Sequence, residues 1–364
     1  MSVAQDVVWA AGGGAQPPAE DRPIRPSAIR RQDVLVLGGS AVSSLALVWI
    51  PYQELAPFSG ALGFVLCWFA AFVLVYWVAM RELEGPLIAA DKAVSVIIGS
   101  IAIGLLIPLV AILVYVFSKG VHALTWHFFT QDQSAVGPTS PASAGGGLHA
   151  IIGSLEQVAL AVILTVPVGL ATAVYMNEVR GRMTRSVRTF VNAMSGVPSI
   201  VAGLFIFTVW ILEMGNRFSG LAATLAISIL MLPTVTRTAE EVLRLVPSGL
   251  RESSLALGAP EWRTVWTVVL PTAASGLVTA VILGVARAVG ETAPLIMTSF
   301  GTPAINKTPF ADPQQSLPLF VWQEYQLQLP GPLARAWTGA LVLITMVLIL
   351  FSIARFVATR KAVM

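Results

Sequence analysis

Apolar residues in this chain gather into long runs separated by short polar stretches. Eight runs, at 34–50, 60–80, 93–117, 150–176, 189–212, 221–236, 272–299 and 337–357, are long enough, or nearly so, to cross about 30 Å of hydrocarbon as helices. The first and sixth are the shortest. With backbone groups satisfied inside each segment, the pattern predicts an all-α integral membrane protein with eight spans.

Composition agrees. Of 364 residues, 56% are hydrophobic and only 11% charged, whereas a soluble domain carries roughly 25% charged residues. The positions of the basic residues then orient the spans. With the N-terminus in the cytoplasm, that side receives Arg22, Arg25, Arg30, Arg31, Arg81, Lys92, Arg180, Arg182, Arg185, Arg188, Arg237, Arg244, Arg251, Arg263, Arg355, Arg360 and Lys361. The outer side receives Lys119, Arg217, Lys307 and Arg335, and Arg287 is left inside the membrane. The net charge of +3 therefore reflects membrane sidedness and gives no reason to expect nucleic acid. The expected location is a cell membrane, crossed several times, with both termini cytoplasmic.

The chain divides into a polar, Ala/Gly/Pro-rich tail at 1–33, expected to be disordered, a transmembrane hairpin at 34–92, and a main domain at 93–360. On the outer side, 118–149 contains GPTSPASAGGG, which reads as flexible, and 300–336 holds six prolines, which reads as irregular but packed. The cytoplasmic connection 237–271 is different. Leu243, Val246, Leu250, Ser254 and Leu257 recur at three- and four-residue steps, which predicts short amphipathic helices whose apolar side needs a membrane surface or a partner.

Several chemistries lack their residues. No lysine stands in a phosphate-binding-loop context, so nucleotide hydrolysis has no place in the chain itself. His122, His127 and His149 have no matching Cys or carboxylate cluster, so neither metal nor cofactor is expected. The single Cys67 sits in an apolar run and reads as a packing residue. Nothing in the sequence supports an enzyme.

The stretch RESSLALGAPEWRTVWTVVLP resembles the coupling loop of permease subunits in bacterial ABC importers. That pattern runs Glu-Ala-Ala, three residues, Gly, nine residues, Ile-x-Leu-Pro. Glu252 matches the Glu, Ser253 and Ser254 stand for the alanines, Gly258 for the Gly, and Val268, Leu270 and Pro271 close the pattern. Physically, a short helix, a glycine turn and a proline at the next helix start would make a rigid knob continuous with a span. More narrowly, Ala286-Arg287 followed by Gly290-Glu291-Thr292-Ala293-Pro294-Leu295 is similar to the PstA-type permeases of phosphate importers, and GGLHAIIGSL at 146–155 fits the same core. The resemblance covers about 93–360. It implies a type I importer core of six transmembrane helices, with the hairpin at 34–92 additional to it. It also implies four partners besides membrane lipid: a PstC-like sister permease, a pair of PstB-like cytoplasmic ATPases, and a PstS-like extracytoplasmic phosphate-binding protein. The alternatives are a permease for sulfate or molybdate, an ATP-independent anion channel or carrier, and a membrane scaffold.

Arg287 and Glu291 are the two charges inside the seventh run, each costing about 2.5–3.5 kcal/mol at a helix centre on insertion scales. On a helix, Gly276, Ala280, Gly284, Arg287 and Glu291 fall within a sector of about 80°. Small residues there would admit a neighbouring helix, so this face is expected to meet a partner subunit and line a path, with Pro294 interrupting the helix one turn on. Two readings stay open. The charges form a structural ion pair, or Arg287 offers its guanidinium fork to a tetrahedral oxyanion while Glu291 holds it between turnovers. The resemblance implies the second, with Thr292 beside them. Thr298 and Ser299 are weaker candidates because such hydroxyls usually bond their own helix. Glu156 reads as a partner for a basic residue or an outer-rim residue, Asn192 as packing, and Pro198 and Pro233 as helix irregularities.

Overall fold

The computed structural model describes residues 31–52, 60–179 and 181–361, with side chains to residue 356. Most of the expected 1–33 tail lies outside the described residues; Arg31 already opens α1. The chain forms two compact units, Met1–Leu109 and Val110–Met364.

In the first unit, α1 (Arg31–Ile50) and α2 (Ala61–Glu84) pack as a hairpin, joined by the start of α3 (Pro86–His122). Tyr76, Met80 and Ala89 form its small core. Lys92 Nζ lies 2.6 Å from both Asp33 Oδ1 and Glu84 Oε2. One cation between two carboxylates thus gathers the start of α1, the end of α2 and the start of α3 at one end of this unit.

The second unit is built on α5 (Leu148–Glu178), α8 (Gly220–Arg244) and α11 (Leu270–Val289). α8 lies between the other two. Among the candidate spans it is the most buried and the least apolar, because protein rather than lipid surrounds it. Its run reads as short in hydropathy for the same reason. Ala161, Ala223, Ile227, Met231, Val235, Ala288 and Leu295 make one core layer, and Ala173, Ala239, Leu243, Val269, Ala273, Leu277 and Ala280 another. Half of these residues are alanine, which lets the backbones approach closely. Val235 is wedged between two glycines: a methyl group added to Gly169 of α5 would lie 3.1 Å from its Cγ1, and one added to Gly284 of α11 2.5 Å from its Cγ2.

Among the described residues, seven helices are long and apolar enough to cross a membrane, or eight if one bent pair counts as a span. That pair covers the fifth span expected at 189–212, broken at the irregularity expected at Pro198. α6 (Arg182–Ser195) ends at Gly196, and α7 (Ser199–Ile206) continues as a π-helical turn, Phe207–Glu213, at 101° to it. Pro198 causes the break: it lacks an amide hydrogen and disfavours helical geometry at Val197. The seventh run is also interrupted. α11 stops at Val289, residues 290–292 are non-helical, and α12 (Ala293–Thr298) restarts with Pro294 in its first turn. A proline ring collides with the carbonyl four residues back, here that of Gly290, so the break falls before Pro294 rather than at it.

The loop-rich end differs from expectation in order. The stretch GPTSPASAGGG at 137–147, read as flexible, is tied down by backbone bonds from Gly146 N to Asp132 O at 3.1 Å and from Gly147 N to Phe128 O at 2.8 Å, and Gln133 N just before it bonds Pro303 O at 2.9 Å. Phe128 comes from the short α4 (Trp126–Thr130). The proline-rich 300–336 contains α13 (Leu317–Gln326), and α14 (Pro330–Lys361) begins within it. Arg335, only 1% exposed, joins these pieces. It donates from Nε to Glu324 Oε2 at 2.9 Å and from Nη1 to Pro141 O at 3.1 Å.

Candidate functional site

A cavity of about 210 Å³ opens in the second unit, lined by Met194, Ser195 and Val197 at the α6 bend, Leu230, Pro233, Thr234, Arg237 and Thr238 of α8, and Arg287 of α11. This is well above the space one water needs. Two arginines line it. Arg287 is half exposed, and its Nε lies 3.7 Å from Glu291 Oε1. At that distance no hydrogen bond forms, so its donors remain available to the cavity. Arg237 is held by a neutral group, donating from Nη1 to Asn192 Oδ1 at 2.7 Å. Among the described residues no carboxylate pairs with it. Two cations against one loosely engaged carboxylate leave the site net positive, an arrangement suited to an anion.

The hydroxyls contribute less. Ser195 Oγ donates to Val191 O at 3.0 Å and Thr234 Oγ1 to Leu230 O at 3.2 Å. A hydroxyl whose proton is used this way can accept from a guest but cannot donate to it. Thr298 and Ser299 likewise donate to Pro294 O and Leu295 O, and both are fully buried.

The geometry redistributes the residues expected at the site. Arg287 lines the cavity; Glu291 and Thr292 lie in the break after α11 and do not line it. Glu291 therefore lies beyond the end of α11 rather than on its face, yet its carboxylate stays 3.7 Å from Arg287. Thr292 O accepts from Leu295 N at 3.1 Å and so starts α12. The stripe of Gly276, Ala280 and Gly284 packs on α8 of the same chain, against Val242 and Val235, and not on a partner subunit. Glu156 is bonded by an amide rather than a base: Gln314 Nε2 donates to its Oε2 at 2.5 Å. Asn192, expected as packing, positions Arg237, and Pro233 lines the cavity. The sixth apolar run ends at 236, so hydropathy places Arg237 in the cytoplasmic connection. The missed signal is that helical spacing continues through RTAEEVLR, and α8 does run on to Arg244.

The segment expected to couple forms a compact projection. α9 (Ser248–Ala256) exposes Glu252 and Ser253, and Ser254 Oγ lies 2.9 Å from Thr264 Oγ1 of α10 (Glu261–Thr264). Gly258 has φ 79°, the left-handed conformation that favours glycine. Gly258 N bonds Leu255 O at 2.9 Å and Ala259 N bonds Ser254 O at 3.3 Å, the paired closure that ends helices in a glycine turn. Leu257 is 89% exposed, and Trp262 and Trp266 are about as open as each other at 67% and 68%. Leu270 opens α11 with Pro271 in its first turn, as expected, and the helical run Glu261–Val289 joins α10 to it without a break. A π-helical turn, Val265–Val269, precedes them, with Leu270 N bonded to Val265 O. The wider turn makes room for the Pro271 ring.

Residues 165–363 match the family described as binding-protein-dependent transport system inner membrane component. The phosphate transport system permease protein PstA 1 of Mycobacterium tuberculosis (strain CDC 1551 / Oshkosh) is 43% identical over 70% of this chain and 85% of its own length. PstA of Mycobacterium leprae is 42% identical over 70% of this chain and 85% of its own. PstA of Xylella fastidiosa (strain Temecula1) is 36% identical over 68% and 84%. Among solved structures, the inward-facing MetNI methionine ABC transporter aligns with a TM-score of 0.46 at 21% identity, over 59% of this chain and 94% of that one. An all-helical inner-membrane permease component of the ABC importer class is thus what the fold and the family match define. Within that class, the chain belongs to the PstA family of phosphate transport permeases.

Proposed function

We infer that this chain is the permease subunit of an ATP-driven importer that moves inorganic phosphate into the cytoplasm, and that Arg287 and Arg237 bind the anion on its way. The observation that carries the pathway assignment is that these two arginines line one cavity, while Glu291 engages Arg287 only loosely, at 3.7 Å. A planar fork matches the oxygens of a tetrahedral oxyanion. Two forks leave enough attraction to draw it in, while Glu291, by competing for Arg287, keeps the site weak enough to release it. Thr292 sets the break after α11 and so the position of Glu291.

The basic end of the second unit faces the cytoplasm in this reading, with both termini on that side. Glu252, Ser253, Ser254 and Gly258 present the projection, with exposed Leu257 and Trp262, to a PstB-like ATPase pair. Leu270 and Pro271 carry it into α11. A PstC-like sister permease completes the path beside the half-exposed Arg287, and a PstS-like binding protein delivers phosphate at the loop-rich end.

The test is ATP-dependent uptake of labelled phosphate by the complex assembled in vesicles, with sulfate as competitor. Arg237→Gln and Arg287→Gln should each lower uptake by about 10- to 100-fold, the worth of one charge-assisted hydrogen bond, in complexes that still assemble. Uptake unchanged in Arg287→Gln would reduce the residue to packing. Uptake abolished by equimolar sulfate would transfer the assignment to another oxyanion.

A further inference from the structure

A projection that receives movement from a partner must be fastened to the helices that carry the site. One residue outside the coupling pattern does this. Arg251, directly before Glu252, turns back from α9. It donates from Nη2 to Glu178 Oε1 at 3.1 Å and to Leu243 O at 3.1 Å, and from Nη1 to Val246 O at 3.2 Å. Glu178 is the last residue of α5, Leu243 lies in the last turn of α8, and Val246 lies in the turn that leads to α9. The acceptor is braced in turn, since Asn177 Nδ2 donates to the same Glu178 Oε1 at 2.6 Å.

The chemistry suits the place. The last carbonyls of a helix lack intrahelical donors, and helix C-termini carry partial negative charge. A guanidinium set where α5 and α8 end answers both needs, and its planar fork reaches three acceptors at once, which a lysine ammonium on a flexible stem does not. Arg251 and Glu178 are each 22% exposed, so water screens the pair only in part.

The connection leads to the cavity. Leu243 lies six residues beyond Arg237 on α8, about 9 Å along the axis. The projection's other attachment is the continuous helical run Glu261–Val289, which carries Arg287. The projection therefore reaches one cavity arginine through the continuous helical backbone of α11, and the other through the short link 245–247, which the side chain of Arg251 clasps to the end of α8. We propose that Arg251, braced by Glu178, is a positioning residue that passes displacement of α9 into α8, so that Arg237 moves together with Arg287 when the ATPase moves the projection. The proposal rests on the importer reading above.

The assembled transporter in vesicles provides the test, through phosphate taken up per ATP hydrolysed in native, Arg251→Gln, Arg251→Lys and Glu178→Gln proteins. In Arg251→Gln hydrolysis should persist while uptake per ATP falls about tenfold, the scale of one charge-assisted bond. Arg251→Lys and Glu178→Gln, which keep part of the contact, should fall less. Amide hydrogen exchange across 248–258 should quicken in Arg251→Gln in the same preparations. A ratio unchanged in both Arg251→Gln and Glu178→Gln overturns the proposal, and so does unchanged exchange. If Arg251→Gln does not assemble, Glu178→Gln decides. A native complex that hydrolyses ATP without taking up phosphate overturns the importer reading instead, and the exchange measurement still decides whether Arg251 fastens α9.

Discussion

Replacing Gly284 by alanine tests how the core sets the spacing of the two arginines. Gly284 is one turn before Arg287 on α11 and faces Val235, two residues before Arg237 on α8. The added methyl would lie 2.5 Å from Val235 Cγ2, about 1 Å inside the usual carbon–carbon contact. Val235 has little room to yield. It is fully buried, its other methyl already faces Gly169, and a β-branched side chain in a helix has one strongly preferred rotamer. Overpacking of this kind costs about 1–3 kcal/mol, against about 1 kcal/mol gained from the better helix propensity of alanine. Gly104 of α3 supplies the control, because nothing lies within 4 Å of a methyl placed there. Chemical denaturation in detergent should leave Gly104→Ala as stable as the native chain or slightly more so. Gly284→Ala should fall below Gly104→Ala by about 1–3 kcal/mol. Adding Val235→Ala should recover part of the loss, with a coupling of about 0.5–3 kcal/mol between the two sites. Equal stability of the two Gly→Ala proteins, or additive behaviour of Gly284→Ala and Val235→Ala, would refute the wedge.

Three further outcomes follow from the geometry. Glu324→Ala should cost about 3–5 kcal/mol by leaving the Arg335 guanidinium buried without its anion, and Glu324→Ala with Arg335→Met should cost less than Glu324→Ala alone; the same denaturation assay reads both. Glu240, which accepts from Arg188 Nε at 2.9 Å and Arg244 Nη2 at 2.7 Å, joins α6 to α8. Because both arginines are partly exposed, Glu240→Ala should cost only about 1–3 kcal/mol, and a double-mutant cycle with Arg188→Ala should account for a measurable share. Asp132 is held below the usual carboxylate range, first by the Ser134 hydroxyl and also by the Ser134 and Ile305 amides. A depressed folded pKa stabilises above the unfolded value of about 3.9 and is lost as pH falls through the folded one. Exchange at the Ile305 amide should therefore rise relative to its intrinsic rate below about pH 4, and Asp132→Asn should remove that pH dependence.

Hydropathy located the helices well where lipid surrounds them, and less well where protein does. The apolar runs at 60–80 and 150–176 became α2 and α5 with longer ends, since a spanning helix continues past the hydrocarbon. The sixth run stopped at 236 because Arg237 looked like the start of a loop. Only the fold shows that α8 is enclosed by its neighbours and that its arginine faces a cavity. The glycine turn at Gly258, left-handed in the fold, was legible because it depends on local chain geometry. The partner of Glu156 was not, because Gln314 lies 158 residues away.

By itself, the sequence determined that this chain is helical and membrane-embedded, and that Arg287 and Glu291 fall within one apolar run. These follow from local free energies: the cost of placing each residue in hydrocarbon, and the missing amide hydrogen of each proline. Tertiary structure alone decided that the glycine stripe of α11 meets α8 of the same chain, that Arg237 joins Arg287, and that Glu291 stands off at 3.7 Å. Those outcomes depend on how closely three helices can approach, which is set by the combined shapes of Gly169, Val235 and Gly284 and is carried by none of their sequence neighbourhoods separately.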